Sequence, residues 1–161
     1  MQDLLDNTDL MRGTVVRRVY FGLSVLLVFA VVLQFYFAAV GAFSKPQTDS
    51  SYGLHSLNGM MIIPLLSILA TIAAAIARVP GRAIGLAIAP LGLVVVQVLI
   101  IVIGKAFTDG DNTTTAALVV YGLHAVNGLA IMAVSGANVR TARLLLRPAV
   151  SPAATTTGAA A

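Results

Sequence analysis

Cysteine and glutamate are both absent from the 161 residues, and only 10% of the chain is charged. Without cysteine there is no disulfide, iron–sulfur cluster, thiolate zinc site or CxxCH-attached haem. The shortage of charge excludes a water-soluble globule, because an average soluble domain carries roughly 25% charged residues. Here 58% of the residues are hydrophobic and the mean hydropathy is +0.95. Lipid must therefore be the solvent for most of the exterior. None of the six aspartates falls in a long apolar run, so no carboxylate pair is available for acid–base work and no acidic site for a coupling ion. Two histidines without cysteine or carboxylate cannot complete a four-ligand structural zinc site. Metalloprotease and phosphate-loop signatures are missing as well. These absences count against a hydrolase and leave open whether the chain is an enzyme at all.

What is present is four apolar stretches without a charged side chain, approximately residues 19–43, 54–77, 83–103 and 116–139. Each is long enough to cross a ~30 Å hydrocarbon core as a helix of about 20 residues. The connections are short: 44–53 holds Pro46, 78–82 holds Pro80-Gly81, and 104–115 holds Asp109, Gly110 and Asp111. The expected architecture is all-α, a transmembrane four-helix bundle of two helical hairpins. An N-terminal cytoplasmic segment, 1–18, precedes the 19–147 domain. The Ala-, Thr- and Pro-rich stretch 148–161 reads as a disordered cytoplasmic tail.

The net charge of +4 and pI near 10 have a topological cause. Arg12, Arg17 and Arg18 precede the first stretch, Arg78 and Arg82 lie between the second and third, and Arg140, Arg143 and Arg147 follow the fourth. All eight arginines thus fall on one side, whereas the other receives Lys45, Lys105, Asp49, Asp109 and Asp111. By the positive-inside rule both termini are cytoplasmic and the protein is a multi-pass plasma-membrane protein. Nucleic-acid binding is not needed to explain the basic pI. The first stretch is also too long for a signal-peptide h-region of about 7–15 residues, so it reads as a retained helix.

The octapeptides YGLHSLNG (52–59) and YGLHAVNG (121–128) share six of eight residues at an offset of 69, and they contain the only two histidines. Upstream, Gly22, Leu23, Gln34 and Gly41 match Gly85, Leu86, Gln97 and Gly104 at an offset of 63. This pattern reads as a duplicated hairpin, with units of about 19–78 and 83–147. Because each unit crosses twice, its copies run parallel, related by a pseudo-two-fold axis along the membrane normal.

The repeat pairs the candidate site residues. His55 with Gly59, and His124 with Gly128, stand four apart on one helical face, an imidazole beside an open slot. That combination suits a bis-histidine haem b, each imidazole taking one axial position and the glycines giving the porphyrin room. The competing reading is a hydrogen-bonded histidine with a glycine serving close helix packing. Gln34 and Gln97 lie some 22–24 Å above Arg18 and Arg82, and His55 about 34 Å above Arg78, at 1.5 Å per residue. Asn58 and Asn127 fall between, forming a Gln–Asn–His ladder through the outer half of the bundle that reads first as polar glue between helices and second as a proton path. Tyr52 and Tyr121 suit an interfacial aromatic belt. Pro64 and Pro90 shape their helices, and no serine sits in a nucleophile setting.

The segments FGLSVLLVFAVVLQFYFAAVGAF, LHSLNGMMIIPLL, RVPGR, VVVQVLIIVIG and LHAVNGLAIM resemble a family of small four-helix bacterial membrane proteins of unknown function, over about Val19 to Arg147. More distantly, a histidine near the outer end of alternate helices, followed by small residues, is similar to haem A synthase and to bis-histidine b-type membrane cytochromes. That likeness implies one haem b held by His55 and His124, exchanging electrons with a quinone or a redox protein partner. The alternative is a cofactor-free accessory or structural subunit of a membrane complex, and a small polar-lined transporter is third.

Overall fold

A computed structural model describes residues 2–110 and 112–147. The expected disordered tail, 148–161, lies outside the described residues. Four helices long and apolar enough to cross a membrane make up the fold: Met11–Phe43, Ser50–Ile76, Gly81–Ala106 and Thr115–Leu144. They are called here the first to fourth spans. The helix that carries the first span begins at Gln2 and runs unbroken to Phe43, so the charged residues ahead of the span continue its helix. The spans pack as an up-down-up-down ring. The first touches the second and fourth, and the third likewise, which puts the second and fourth on a diagonal. The first two spans form one hairpin and the last two the other. The arginines collect at one end of the bundle and both octapeptides at the opposite end.

Local chemistry explains two of the ends and a wide turn inside the second span. Thr114 caps the fourth span through a bond from the Ala117 amide, satisfying one of the four donors a helix start leaves free. The second span closes with Val79 N bonding Ala74 O at 3.2 Å and Arg78 N bonding Ala75 O at 3.0 Å, with Arg78 at φ +51. That position usually takes glycine, since a left-handed residue with a side chain costs about 1–2 kcal/mol. Within the second span, Asn58–Ile62 is a π turn. Pro64, just after it, lacks the amide that would bond Met60, and a wider turn relieves the clash its ring makes with the preceding carbonyls. The corresponding residue of the fourth span, 69 further on, is Ala133, and there the α-helix is regular.

Two apolar layers fill the interior. At the arginine end small side chains dominate: Ala70, Ala73, Ala74, Ala77, Ala83, Ala87 and Ala142 surround Tyr20, which lets backbones approach as membrane helices prefer. Above them Leu27, Ala30, Val31, Ile63, Val94 and Ile131 form a second layer in the middle of the bundle.

Candidate functional site

At the histidine end of the bundle the Gln34 side chain ties the first span to the second. Its Nε2 donates to His55 O at 3.0 Å and lies 3.2 Å from His55 Nε2, while Asn58 Nδ2 donates to its Oε1 at 2.8 Å. Asn58, itself buried, also donates to Ala30 O at 2.8 Å. His55 Nδ1 is 3.1 Å from the Gln34 carbonyl. A carbonyl only accepts, so Nδ1 carries the proton and Nε2 presents a lone pair, to which the Gln34 amide donates.

Residues at equivalent positions of the second hairpin repeat most of these bonds. Gln97 Nε2 donates to His124 O at 2.7 Å, Asn127 Nδ2 donates to Gln97 Oε1, and Asn127 Nδ2 donates to Leu93 O at 2.9 Å. Leu93 stands 63 residues after Ala30, as Gln97 does after Gln34. The glutamines therefore bond directly to the histidine turns, the glutamine side chain bridging the rise that backbone counting leaves between them. The polar residues form two clusters, one in each hairpin, and the apolar layer of Leu27, Val31, Ile63, Val94 and Ile131 lies beneath both. The Gln, Asn and His residues expected as a ladder within one half of the bundle thus lie together there as hydrogen-bonded clusters.

The two imidazoles meet between the hairpins. Their ring centroids are 6.0 Å apart and the planes tilted by 43°, and the Tyr52 and His55 rings meet edge to face with centroids 6.3 Å apart. The rings differ in partners: His124 Nδ1 is buried with no hydrogen-bond partner. The glycine slots are not open. A Cβ on Gly59 would come within 2.5 Å of Gln34 Nε2, and one on Gly128 would touch the Phe35 ring at 3.5 Å. What counting along the chain could not supply is which neighbour faces each glycine. Sequence matching did single out Gly41 and Gly104, but not their role. A Cβ on Gly41 would come within 2.6 Å of the Tyr52 ring, and one on Gly104 would overlap the Tyr121 ring. Each tyrosine ring packs against the glycine of its hairpin partner, and Gln47 Nε2 donates to the Tyr52 hydroxyl at 3.3 Å.

A second polar cluster, at the arginine half, escaped the sequence reading. Tyr20 donates its hydroxyl proton to Asn138 Oδ1, Asn138 Nδ2 donates to Ser24 Oγ at 3.1 Å, and Ser67 Oγ donates to Ala87 O at 2.7 Å. Tyr20, Ser24, Ser67 and Asn138 are all fully buried. The signal was present as Asn138, the one amide of the fourth span outside the octapeptide, but nothing in a single sequence pairs it with Tyr20.

Among the described residues no group of three or more His, Asp or Glu gathers to hold a metal ion. The fold and the site define an integral membrane four-helix protein with a paired-histidine cluster at one end. A family model described as "Family of unknown function (DUF6220)" matches residues 34–105, which takes in Gln34, His55, Asn58, Gly59, Gln97 and Gly104 but stops before His124. No curated protein and no solved structure matches the chain.

Proposed function

We propose that the chain is a membrane electron-transfer protein holding one haem b between His55 and His124. The observation that carries this reading is the pair of imidazoles facing each other from diagonal spans, 6.0 Å between centroids. A separation of about that size is what two imidazoles would have if both held one metal ion. The donor set also suits the group: His55 already has its Nδ1 proton bonded to a backbone carbonyl, as ligating histidines do, and His124 keeps a buried ring nitrogen without a partner. A swing of the Gln34 side chain would clear the His55 lone pair and the Gly59 slot together, since the same amide fills both. The haem, when bound, supplies a one-electron couple. The chain's own residues bind and orient it: His55 and His124 as ligands, Gln97 and Asn127 fixing the His124 turn, Gly59 and Gly128 keeping bulk away, Phe35 and Tyr52 limiting water.

The matching bonds of the two hairpins favour a duplicated unit. The eight arginines at one end favour termini in the cytoplasm and a site towards the outer face, within reach of a quinone or an external redox protein. A polar transport path is disfavoured by the apolar layer beneath the clusters. One observation favours a cofactor-free accessory subunit, namely that Gln34 satisfies both ring nitrogens of His55. The absorption spectrum of protein purified in detergent after expression with ample haem decides between them. The expected outcome is a low-spin b-type spectrum, weakened by Gly59→Leu or Gly128→Leu. A colourless, folded protein whose histidine-free variant is equally stable would hand the case to the accessory-subunit reading.

A further inference from the structure

We infer that the groove between the first and second spans at the arginine end holds one anionic phospholipid, its phosphate between Arg12 and Arg78 and an acyl chain along the groove. Val16, Val19 and Leu23 form one wall and Leu69, Ile72 and Ile76 the other, around an open space of about 320 Å³. Every residue that lines it is apolar. From Val16 to Leu23, as from Leu69 to Ile76, the helix rises about 10 Å at 1.5 Å per residue. One leaflet contributes about 15 Å of a ~30 Å hydrocarbon core, so the groove follows an acyl chain through most of that depth. Nothing polar on its walls could hold water, which leaves lipid to fill it.

Selection comes from the mouth of the groove. Arg12 stands four residues before Val16, and positions 12, 16, 19 and 23 recur at the spacing of one helical face. Arg12 therefore continues the first wall about 6 Å past the groove. Arg78 stands two residues past Ile76, at the end of the second wall. Both side chains are exposed, and neither makes a hydrogen bond or an ion pair with another described residue. A guanidinium offers a planar fork of donors that fits a phosphate with two parallel bonds, and its long stem can lie along the apolar wall below the head. The backbone of Arg78 points the same way. At φ +51 it fills a position that glycine takes without strain, and a guanidinium at the groove mouth is what the chain has there in return. Arg140 and Arg143 lie at the same end of the bundle and are equally exposed, but they belong to the fourth span, which does not line the groove.

Native mass spectrometry of the full chain in detergent, titrated with phosphatidylglycerol or phosphatidylcholine of equal chain length, tests the site. One phosphatidylglycerol should bind in preference to phosphatidylcholine by about 10–30-fold, since each arginine near an anionic surface contributes about fivefold, the equivalent of ~1 kcal/mol. Arg12→Gln combined with Arg78→Gln should abolish the preference. Arg140→Gln combined with Arg143→Gln removes the same charge from the same end and should keep it. Val19→Trp fills the groove from a half-exposed position and should weaken phosphatidylglycerol binding although both arginines remain. Arg78→Gly should bind the lipid about fivefold more weakly and yet unfold no sooner than wild type, a combination that a merely structural role for Arg78 would not give. Equal losses from the two double variants would reduce the site to a diffuse positive field. Competition by inorganic phosphate as strong as by the lipid would make it a free-anion site, and equal binding of both lipids would leave only an apolar furrow. Any one of these three results overturns the proposal.

Discussion

The two ends of the bundle are stitched in different directions. At the arginine half the buried polar groups bond from one hairpin to the other: Tyr20 to Asn138, Asn138 to Ser24, and Ser67 to the Ala87 carbonyl. At the histidine end Gln34, His55 and Asn58 bond among themselves and to Ala30, and Gln97, Asn127 and the His124 carbonyl do the same with Leu93. No hydrogen bond between described residues crosses the seam there. What does cross it is the facing pair of imidazoles and the contact of Phe35 with the Gly128 position. Polar bonds in a bilayer are modest singly, averaging about 0.6 kcal/mol with a maximum near 1.7, but their direction decides which parts move as units. A seam tied at one end and held only by packing at the other gives two firm hairpins that part most readily where the histidines are. The haem proposed above would need that freedom, and side chains poised within each hairpin would need the firmness.

The largest effect expected from breaking this pattern belongs to Asn138. Asn138→Ala removes two cross-seam bonds and leaves the Tyr20 hydroxyl, whose next acceptor is Ala83 O at 3.4 Å, poorly satisfied in the core. At the bond values above, a loss of about 1–3 kcal/mol is expected, read by reversible unfolding in mixed micelles or by steric trapping. Asn58→Ala deletes a comparable number of bonds within one hairpin, so it should loosen the Gln34 cluster and leave the association of the hairpins nearly as it was. Equal effects on association would mean that the direction of the bonds does not govern how the bundle comes apart.

Next in size is a wedge inside a hairpin. Gly41→Ala and Gly104→Ala each push a methyl into a tyrosine ring lying on the glycine, and overpacking of this kind costs about 1–3 kcal/mol. The lower part of that range is expected, because Tyr52 and Tyr121 sit at the bundle end and can tilt outwards. Gly59→Ala meets the far end of the flexible Gln34 side chain and should cost less. Its signature is instead a changed His55 ring nitrogen resonance, since the amide that donates to Nε2 must move. An unaltered imidazole signal in that variant would count against Gln34 as the group that caps the ring.

The four spans and the single-sided arginines could be read from composition and position, since lipid solvation leaves few alternatives for long uncharged runs. So could the pairing of His55 with His124, because both sit in copies of one octapeptide. The bonds between the glutamines and the histidine turns were not legible: side-chain reach, unlike backbone rise, is invisible to counting along a helix, and the Gln34 side chain reaches the His55 turn. The glycine slots were legible as gaps but not as to their occupants, which depend on rotamers of Gln34 and Phe35 from other helices. The pairing of Tyr20 with Asn138 was not legible, although Asn138 itself stood out. Its members are 118 residues apart and have no counterpart in the repeat, for Ala83 and Leu69 stand at the equivalent positions. The repeat therefore announced the end of the bundle where the hairpins are alike and concealed the end where they are joined.

The smallest effect, and the one of opposite sign, concerns Ser135. It is fully buried in the fourth span one turn from Asn138, and its hydroxyl has no partner. An unsatisfied hydroxyl in an apolar interior is a liability that alanine removes at little cost in packing. Ser135→Ala is therefore expected to be neutral or to stabilise by up to about 1 kcal/mol. Ser67→Ala makes the same chemical change at an equally buried position but cuts the bond to the Ala87 carbonyl across the seam, and should destabilise by about 0.6–1.7 kcal/mol. The pair isolates the cross-seam bond from the burial of a serine as such, with unfolding free energy as the readout. If Ser135→Ala instead destabilises as much as Ser67→Ala, its hydroxyl is bonded in the membrane, and the polar seam of the arginine half extends one turn further towards the apolar layer than Tyr20, Ser24, Ser67 and Asn138 define.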